Sequence, residues 1–226
     1  MARSADCEGP RTVHTIGHST RSLEVFVTLL EDHRIQVLVD VRRWPTSRRF
    51  PHFRGEALAE ALHRRGIGYV WREDLGGYRR PQPGSPNTGW KVGAFRAYAD
   101  FMLTEAFEHT LQELEAMAAE RRICLMCAEA SPWRCHRQLL ADAFMVRGWN
   151  VRHITDRGCP AHRLTPFARV EGTRILYRAP EPETPGPPSP ARDLRPRRFR
   201  TAGEGSRTRS CGPGTFPGPG TRSGGA

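Results

Sequence analysis

Alternating strand and helix patterns between residues 12 and 178 limit the folds that this chain can adopt. Short apolar runs rich in β-branched residues predict five strands, and an amphipathic stretch of helical period follows each of the first four. Strands joined by helical crossovers form a parallel sheet with helices on both faces. The pattern therefore predicts a three-layer α/β/α sandwich of Rossmann-like type on a mostly parallel sheet. The predicted strands cover residues 13–19, 36–42, 67–71, 123–127 and 149–154.

Helix signals mark the segments between these strands. Ser22 stands before an i, i+3, i+4, i+7 series of apolar residues and predicts a helix N-cap. Ser131 followed by Pro132 is a favoured pair at a helix start, so a further helix is predicted over 131–147. If residues 164–178 pair with the sheet, they add a sixth strand at its edge. The remaining predicted helices cover residues 55–65 and, in two pieces, 93–120.

The two ends of the chain are predicted to lie outside this domain. Residues 179–226 hold 10 of the 19 prolines and 9 of the 22 glycines. Their few apolar side chains cannot offset the entropy cost of ordering the segment. We therefore predict a flexible N-terminus over residues 1–11, a single domain over 12–178 and a disordered tail over 179–226.

Neither a secretory signal nor a membrane span is predicted. The first residues lack the apolar segment of a signal peptide, and no apolar run approaches the ~20 residues that cross a bilayer. The six cysteines are then expected as reduced thiols in the cytoplasm, with no membrane partner. No feature of the pattern indicates an oligomeric state.

The net charge of +11 favours anionic partners. All but one of the 35 basic residues are arginine, whose planar guanidinium matches phosphate oxygens, although GC-rich coding also favours arginine. Arginines alternate with aromatic side chains over residues 44–54, as in loops that face nucleic acid. A solvated loop folded on its own aromatic rings fits this segment at least as well. The chain contains neither the GxGxxG motif of dinucleotide sites nor the P-loop motif of ATP sites, so no motif identifies a cofactor.

Polar residues follow the carboxyl ends of three predicted strands, where open parallel sheets bind their ligands. These ends meet at one edge of the sheet, so the sequence predicts a site there. The residues concerned are His18 and Ser19 after the first strand, Asp40 and Arg42 at the end of the second, and Cys127 and Glu129 after the fourth.

The stretch MCAEASPWRCHRQLLADAF, residues 126–144, allows three interpretations. In the first, Cys127 is a nucleophile with a pKa lowered by the helix start, and Glu129 or His136 moves the proton. In the second, Cys127 and Cys135 bind zinc with a histidine, although Cys135 and His136 diverge by ~100° on the predicted helix. In the third, Cys135 and His136 are core packing. The C-x6-R spacing differs from the C-x5-R loop of cysteine phosphatases.

Several separated blocks resemble the DUF488 family of bacterial proteins, over about residues 12–178. They are GHSTRSLEVF, LVDVRRWPTSRRFPHF, DLGGYRR, SPNTGW, FRAYADFM, MCAEASPWRCHRQLLAD and HRLTPFARVEG, in this order. Because DUF488 denotes a domain of unknown function, the resemblance implies a small cytosolic α/β domain and supplies no reaction or catalytic residue. It also suggests that the blocks around Gly17, Asp40 and Cys127 mark one site.

The leading hypothesis is an enzyme that acts on a phosphate-bearing substrate, a nucleotide or nucleic-acid fragment, at this edge of the sheet. The alternatives are a non-catalytic nucleic-acid-binding module and a zinc-binding structural protein, and no metal ligand is assigned. Four residues are predicted to be catalytic: Cys127, Glu129, His18 and Asp40. Six are predicted to bind the substrate anion: Ser19, Arg42, Arg134, Cys135, His136 and Arg137.

Overall fold

Five parallel strands form the sheet, as the alternating pattern predicts. A computed structural model of the chain describes residues 11–179. The strands are β1 (Thr12–Gly17), β2 (Val37–Asp40), β3 (Gly68–Trp71), β4 (Ile123–Cys127) and β5 (Asn150–Ile154). They lie in the order β3-β2-β4-β1-β5, and every neighbouring pair is parallel.

Helices cover both faces of this sheet and give the three predicted layers. They are α1 (Leu23–Asp32), α2 (Gly55–His63), α3 (Gly93–Phe101), α4 (Glu105–Glu120) and α5 (Arg137–Val146). α1 and α2 pack on one face, and α3, α4 and α5 pack on the other. Successive residues of β4 show the division, because Leu125 faces the second group and Met126 the first. The α/β sandwich is therefore confirmed.

The helix starts follow local sequence signals in two of the five cases. The Ser22 hydroxyl accepts a hydrogen bond from the Val25 amide at 3.3 Å, so the predicted cap of α1 is confirmed. Thr104 caps α4 in the same way and separates it from α3, which confirms two helices within 93–120. Apart from the changes described next, element bounds differ from the predicted ones by a few residues, as frayed ends do.

The possible sixth strand does not form, and the sheet keeps the five predicted strands. Residues in the 164–178 segment form a separate antiparallel hairpin, β6 (Ala168–Glu171) with β7 (Arg174–Tyr177), turning at Gly172 with φ +62°. The outer edge of β5 is already occupied, because the His162 amide donates to the Val151 carbonyl at 2.7 Å. The hairpin instead packs its buried Tyr177 against the α3–α5 side of the core.

The predicted helix over 131–147 is wrong at its beginning. A short 3-10 turn covers Pro132–Arg134, and α5 begins only at Arg137. Cys135 between them is extended, with φ −137° and ψ 149°, and the Ser131 side chain makes no capping hydrogen bond. The Cys135 amide closes the 3-10 turn on the Pro132 carbonyl, so the chain changes direction before the helix starts.

The exit of β1 holds the segment after β4 against the sheet edge. A side chain at Gly17 would place its Cβ only 1.8 Å from the Glu129 carbonyl oxygen, so this close backbone approach requires glycine. The His18 amide donates to the Cys127 carbonyl, and the Ser19 amide donates to the Ala128 carbonyl, each at 2.9 Å. These contacts fix the residues that follow β4.

Two predictions concern other parts of the chain. No helix among residues 11–179 is long and apolar enough to cross a membrane. The predicted flexible N-terminus and disordered tail lie outside the described residues, except for Arg11 and Ala179.

Candidate active site

A cavity of about 950 Å³ lies beyond the carboxyl ends of β2 and β4, where the sequence predicts a site. Its walls come from the loops that follow these strands, from residues 77–80 and from the start of α3. Six of the predicted site residues line it: Arg42, Cys127, Glu129, Arg134, Cys135 and His136.

Two thiols and an imidazole form the floor of this cavity, and we call Cys127, Cys135 and His136 the thiol–imidazole cluster. Cys127 is the last residue of β4, Cys135 is the extended residue after the 3-10 turn, and His136 precedes α5. Their exposed fractions are 8%, 3% and 9%, and one ligand atom of each lies within 4.8 Å of the other two. The cluster is therefore compact and shielded, yet borders the cavity.

The orientation of the His136 ring follows from its hydrogen bonds. Nε2 lies 3.0 Å from the carbonyl oxygen of Val41, which can only accept, so Nε2 carries a proton. Nδ1 then faces the Cys135 sulfur at 3.7 Å. A side chain at Gly77 would come within 2.7 Å of Nδ1, so this glycine lets the backbone pack against the ring. The imidazole is thus held in one orientation toward the thiols.

The two thiols of the cluster differ in acidity. Burial opposes ionisation of Cys135, but a hydrogen bond from Cys127 and the neighbouring His136 and Arg137 hold the pKa of Cys135 well below its usual range. The hydrogen bond to Cys135, together with burial, raises the pKa of Cys127 well above its usual range. The pair therefore favours a Cys135 thiolate that accepts a hydrogen bond from the Cys127 thiol. This arrangement favours Cys135 over the predicted Cys127 as nucleophile.

The cluster also fits a soft metal ion, which corrects one argument drawn from the sequence. Cys135 and His136 were expected to diverge on a helix, but neither lies within α5. Tetrahedral zinc with nitrogen and sulfur ligands needs ligand atoms about 3.4–3.8 Å apart. The Cys135 sulfur lies 3.7 Å from His136 Nδ1, and all three ligand atoms lie within 4.8 Å of one another. The proton on Nε2 leaves Nδ1 as the ligand atom, held by a backbone carbonyl as in many metal-bound histidines.

Asp40 and Arg42 form a buried ion pair behind the cavity. Arg42 Nε lies 2.9 and 3.0 Å from the two Asp40 carboxylate oxygens, and the Tyr69 hydroxyl donates to the same carboxylate at 2.7 Å. Arg42 also donates to the Phe53 carbonyl at 2.9 Å. Asp40 is fully buried and Arg42 is 6% exposed, so only Arg42 borders the cavity. The carboxylate thus positions the arginine.

Three other predicted site residues lie outside the cavity lining. His18 stacks on Phe53, with ring centroids 4.3 Å apart, and Ser19 is held in left-handed backbone conformation at φ +49°. Arg137 is 1% exposed and donates to the Glu129 carbonyl and to the Thr15 hydroxyl. Arg137 therefore holds the Glu129 backbone from beneath the cavity floor.

The environment of His18 makes stability depend on pH. Burial, with a contribution from the Arg42 charge, lowers the pKa of His18 to about 4. Between pH 6.5 and 4 the His18 side chain is protonated in the unfolded chain but neutral in the folded domain. The free energy of unfolding therefore falls as the pH falls through this range. We expect His18 to account for about 3 kcal/mol of this loss. Urea titrations at several pH values should show a shallower loss in a His18→Gln variant. The exposed His109, changed to Gln, is the matched control, and equal slopes for all three proteins would contradict this expectation.

The rim carries aromatic and basic side chains that the sequence analysis did not assign to the site. Trp44, Tyr78 and Trp133 are 58%, 79% and 61% exposed and line the cavity. Arg79 and Arg80 join them from the DLGGYRR block, which carried the family resemblance but had no predicted role. The sequence signal in this block is the pair Gly76 and Gly77, because adjacent glycines indicate a backbone that packs closely against another group.

A second cavity of about 740 Å³ adjoins the first. The two share Trp44 and Thr46 in their walls. The second is lined in addition by Trp71, which is 44% exposed, and by the exposed Arg48 and Arg54. Aromatic and basic groups therefore continue along the surface from one cavity to the next.

The family comparison covers the residues that build this site. The model for the domain of unknown function DUF488 matches residues 22–144, which is more than half of the chain and includes the thiol–imidazole cluster. Neither a curated protein nor a solved structure matches the chain. The many separated blocks and this match agree, so the chain belongs to the DUF488 family.

Proposed function

We propose that this domain is an enzyme that uses the Cys135 thiolate on a phosphate-bearing substrate, a nucleotide or a single-stranded nucleic-acid fragment. One observation carries the proposal: a thiol–imidazole cluster, with an acidic thiol, forms the floor of an arginine-lined cavity. Perturbed thiols in a cleft are a recurring feature of nucleophilic active sites.

The arginines of the rim supply the anion recognition. Arg80 and Arg134 are exposed at the cavity mouth, and Arg43 is half-buried beside them with a 3.3 Å ion pair to Glu73. Guanidinium groups bind phosphate oxygens through paired hydrogen bonds, which also orient the phosphate. A substrate phosphate bound by these arginines at the rim would stand above the cluster, and the positive charge of the arginines favours both this anion and the thiolate at the floor.

The aromatic residues of the rim favour a nucleotide over a simple phosphate ester. The Trp44 and Tyr78 rings lie 5.1 Å apart, and both are exposed around the opening. Exposed aromatic rings beside arginines stack on nucleobases in proteins that bind single strands. Because Trp71 continues this surface into the second cavity, a substrate of more than one nucleotide fits the arrangement.

The proposed chemistry is a two-step displacement. The Cys135 sulfur attacks the electrophilic atom of the substrate, a bond from sulfur forms, and the bond to the leaving group breaks. The Cys127 thiol, which stays protonated because its pKa is raised, protonates the leaving group. Water then attacks the intermediate, its proton returns to that same group, and the Cys135 thiolate is restored. Arg137 acts by holding the Glu129 backbone.

A second candidate function uses the same residues as metal ligands. The observation that favours it is the convergence of the three ligand atoms within 4.8 Å, with the His136 ring held through Nε2. A zinc ion there would have three protein ligands and a fourth position toward the cavity, the arrangement of zinc sites that activate water. Metal analysis of the full chain distinguishes the candidates, because only the second loses an equivalent of zinc in Cys135→Ser.

Substrate binding is tested by fluorescence titration of the full chain. The ligands are inorganic phosphate, mononucleotides and short single-stranded DNA and RNA, each at low and high salt. We expect Trp133→Ala to weaken nucleotide or oligonucleotide binding about 5- to 150-fold, as loss of one stacked base does. Arg134→Gln should reduce the salt dependence by about one phosphate contact, and the exposed Arg64, changed to Gln, is the control.

Three outcomes of this titration would revise the proposal. Binding that Trp133→Ala and Arg134→Gln leave unchanged would place the ligand elsewhere. Binding without any turnover, and unaffected by cysteine substitution, would favour the non-catalytic nucleic-acid-binding module. Absence of binding to every phosphate-bearing ligand would contradict the proposed substrate class.

A further inference from the structure

We propose a metal site, separate from the cavity, formed by His14, His33 and Cys159 and suited to zinc or another soft divalent metal ion. One ring nitrogen of each histidine and the cysteine sulfur lie within 4.8 Å of one another. His14 is in the middle of β1, His33 ends α1, and Cys159 follows β5. Three segments far apart in sequence thus bring metal-ligating side chains to one point.

This site lies on the opposite face of the sheet from the thiol–imidazole cluster. Cys159 packs with the apolar layer under α1 and α2, while Cys127 and Cys135 belong to the layer under α3, α4 and α5. The two ring centroids of His14 and His33 are 5.8 Å apart and tilted by 40°, so their nitrogens can point to a common centre. The two clusters therefore share no residue.

A fourth soft ligand stands beside the proposed site. Cys124 of β4 is the register partner of His14 of β1, so both side chains leave the sheet on the same face. Cys124 is fully buried in the same apolar layer against which Cys159 packs. If Cys124 completes the coordination, the ligand set becomes Cys2His2, a set typical of structural zinc.

The backbone at both outer ligands is held in place. Arg122 donates to the His33 carbonyl at 3.3 Å, and Arg152 donates to the Cys159 carbonyl. Gly158, with φ +121°, turns the chain immediately before Cys159. These contacts limit the rearrangement that metal binding requires. Ionisation of the Cys159 thiol on metal binding would offset part of the positive charge of the ion.

The chemistry of the donors selects the ion. Nitrogen and sulfur ligands favour zinc and similar metals over magnesium or calcium, which prefer oxygen ligands. His14 is fully buried, whereas His33 and Cys159 are partly exposed, so a metal ion reaches the site from solvent through them. Such an ion would link β1, α1 and the segment after β5, and so stabilise the folded domain.

The test is metal binding by the full chain, read by zinc content, by the visible spectrum of the cobalt-substituted protein and by melting temperature. We expect Cys159→Ser and His33→Gln each to lose about one zinc per chain and the part of the melting-temperature rise that zinc produces. The cobalt form of the parent should show thiolate-to-cobalt charge transfer that weakens in Cys159→Ser. Cys135→Ser is the matched control at the other cluster. A Cys7→Ser, Cys211→Ser variant controls for the thiols outside the described residues.

Two results would overturn the inference. One is zinc content and melting-temperature response in Cys159→Ser and His33→Gln equal to those of the parent. The other is a parent whose only zinc is lost in Cys135→Ser. His33→Gln keeps the test decisive if Cys159→Ser fails to fold, because His33 is partly exposed at a helix end. The first result leaves the proposed enzyme unaffected, because its residues lie on the other face of the sheet, whereas the second would also favour the zinc candidate at the thiol–imidazole cluster over a Cys135 nucleophile.

Discussion

A Cys135→Ser variant should lose turnover of every phosphate-bearing substrate that the cavity accepts, by at least about 10³-fold in kcat. Serine keeps the size of the side chain but does not ionise near neutral pH, so the nucleophile is absent while the cavity is preserved. Substrate binding should change little, because the arginines and aromatic rings of the rim stay in place. Single-turnover kinetics and fluorescence titration on the same preparations separate the two effects.

Cys127→Ser gives the contrasting result that identifies the roles. Cys127 supplies a hydrogen bond and a proton in the proposed reaction, so its loss should raise the pH at which activity appears and lower kcat less than Cys135→Ser does. Cys211→Ser, which removes a thiol outside the described residues, is the control for cysteine substitution. Full turnover by Cys135→Ser, or a larger loss in Cys127→Ser, would contradict the assignment of Cys135 as nucleophile.

The second large effect concerns the ion pair behind the cavity. Asp40→Asn should lower the free energy of unfolding by about 3–5 kcal/mol, the usual cost of removing one partner of a buried pair. The substitution leaves the Arg42 guanidinium, 6% exposed, without its counter-charge, and weakens the hydrogen bond from Tyr69. Urea denaturation monitored by tryptophan fluorescence measures the change.

An exposed ion pair provides the matched control for Asp40→Asn. Glu60 and Arg64 are neighbours on one face of α2 with side chains 70% and 63% exposed, so Glu60→Gln should change stability by less than about 0.5 kcal/mol. Replacing Asp40 and Arg42 together by leucine should cost less than Asp40→Asn alone, because no buried charge is left unpaired. A loss below about 1 kcal/mol for Asp40→Asn would mean that the pair is not needed to hold this edge of the sheet.

The strands and most helices could be predicted because each carries a local signal. β4 reads ICLMC, a continuous apolar run, and both its ends agree with the sequence prediction. The Ser22 cap and the division of residues 93–120 also depend on neighbours within a turn. The edge of the sheet that carries the candidate site could also be predicted, because the carboxyl ends of parallel strands lie together and ligands bind there.

The errors arise where long-range contacts decide the local structure. Ser131 and Pro132 suit the start of an α-helix, but they begin a 3-10 turn, and Cys135 stays extended to pack in the core beneath the cavity. The fate of residues 164–178 depends on which strand edge is free, and pairing of residues near His162 with β5 removes that edge. A short segment of sequence therefore predicts neither the late start of α5 nor the separate hairpin.

The candidate site shows the same division between local and long-range information. The residues at strand ends were identifiable, but the partners that set their chemistry were not. Cys127 and Cys135 are separated by seven residues, and only the turn between them makes one thiol acidic and the other a donor. Arg79 and Arg80 reach the rim from a loop whose path depends on Gly77 packing against His136.

The most direct test of the acidic thiol is the ultraviolet absorbance of thiolate as a function of pH, measured on the full chain and on Cys135→Ser. The account requires a thiolate in the parent protein at neutral pH, with a midpoint below the usual thiol pKa of about 8.5, that disappears in Cys135→Ser. Thiolate absorbance that rises only at or above that pKa, and equally in both proteins, would contradict the central claim that Cys135 is ionised at the floor of the cavity.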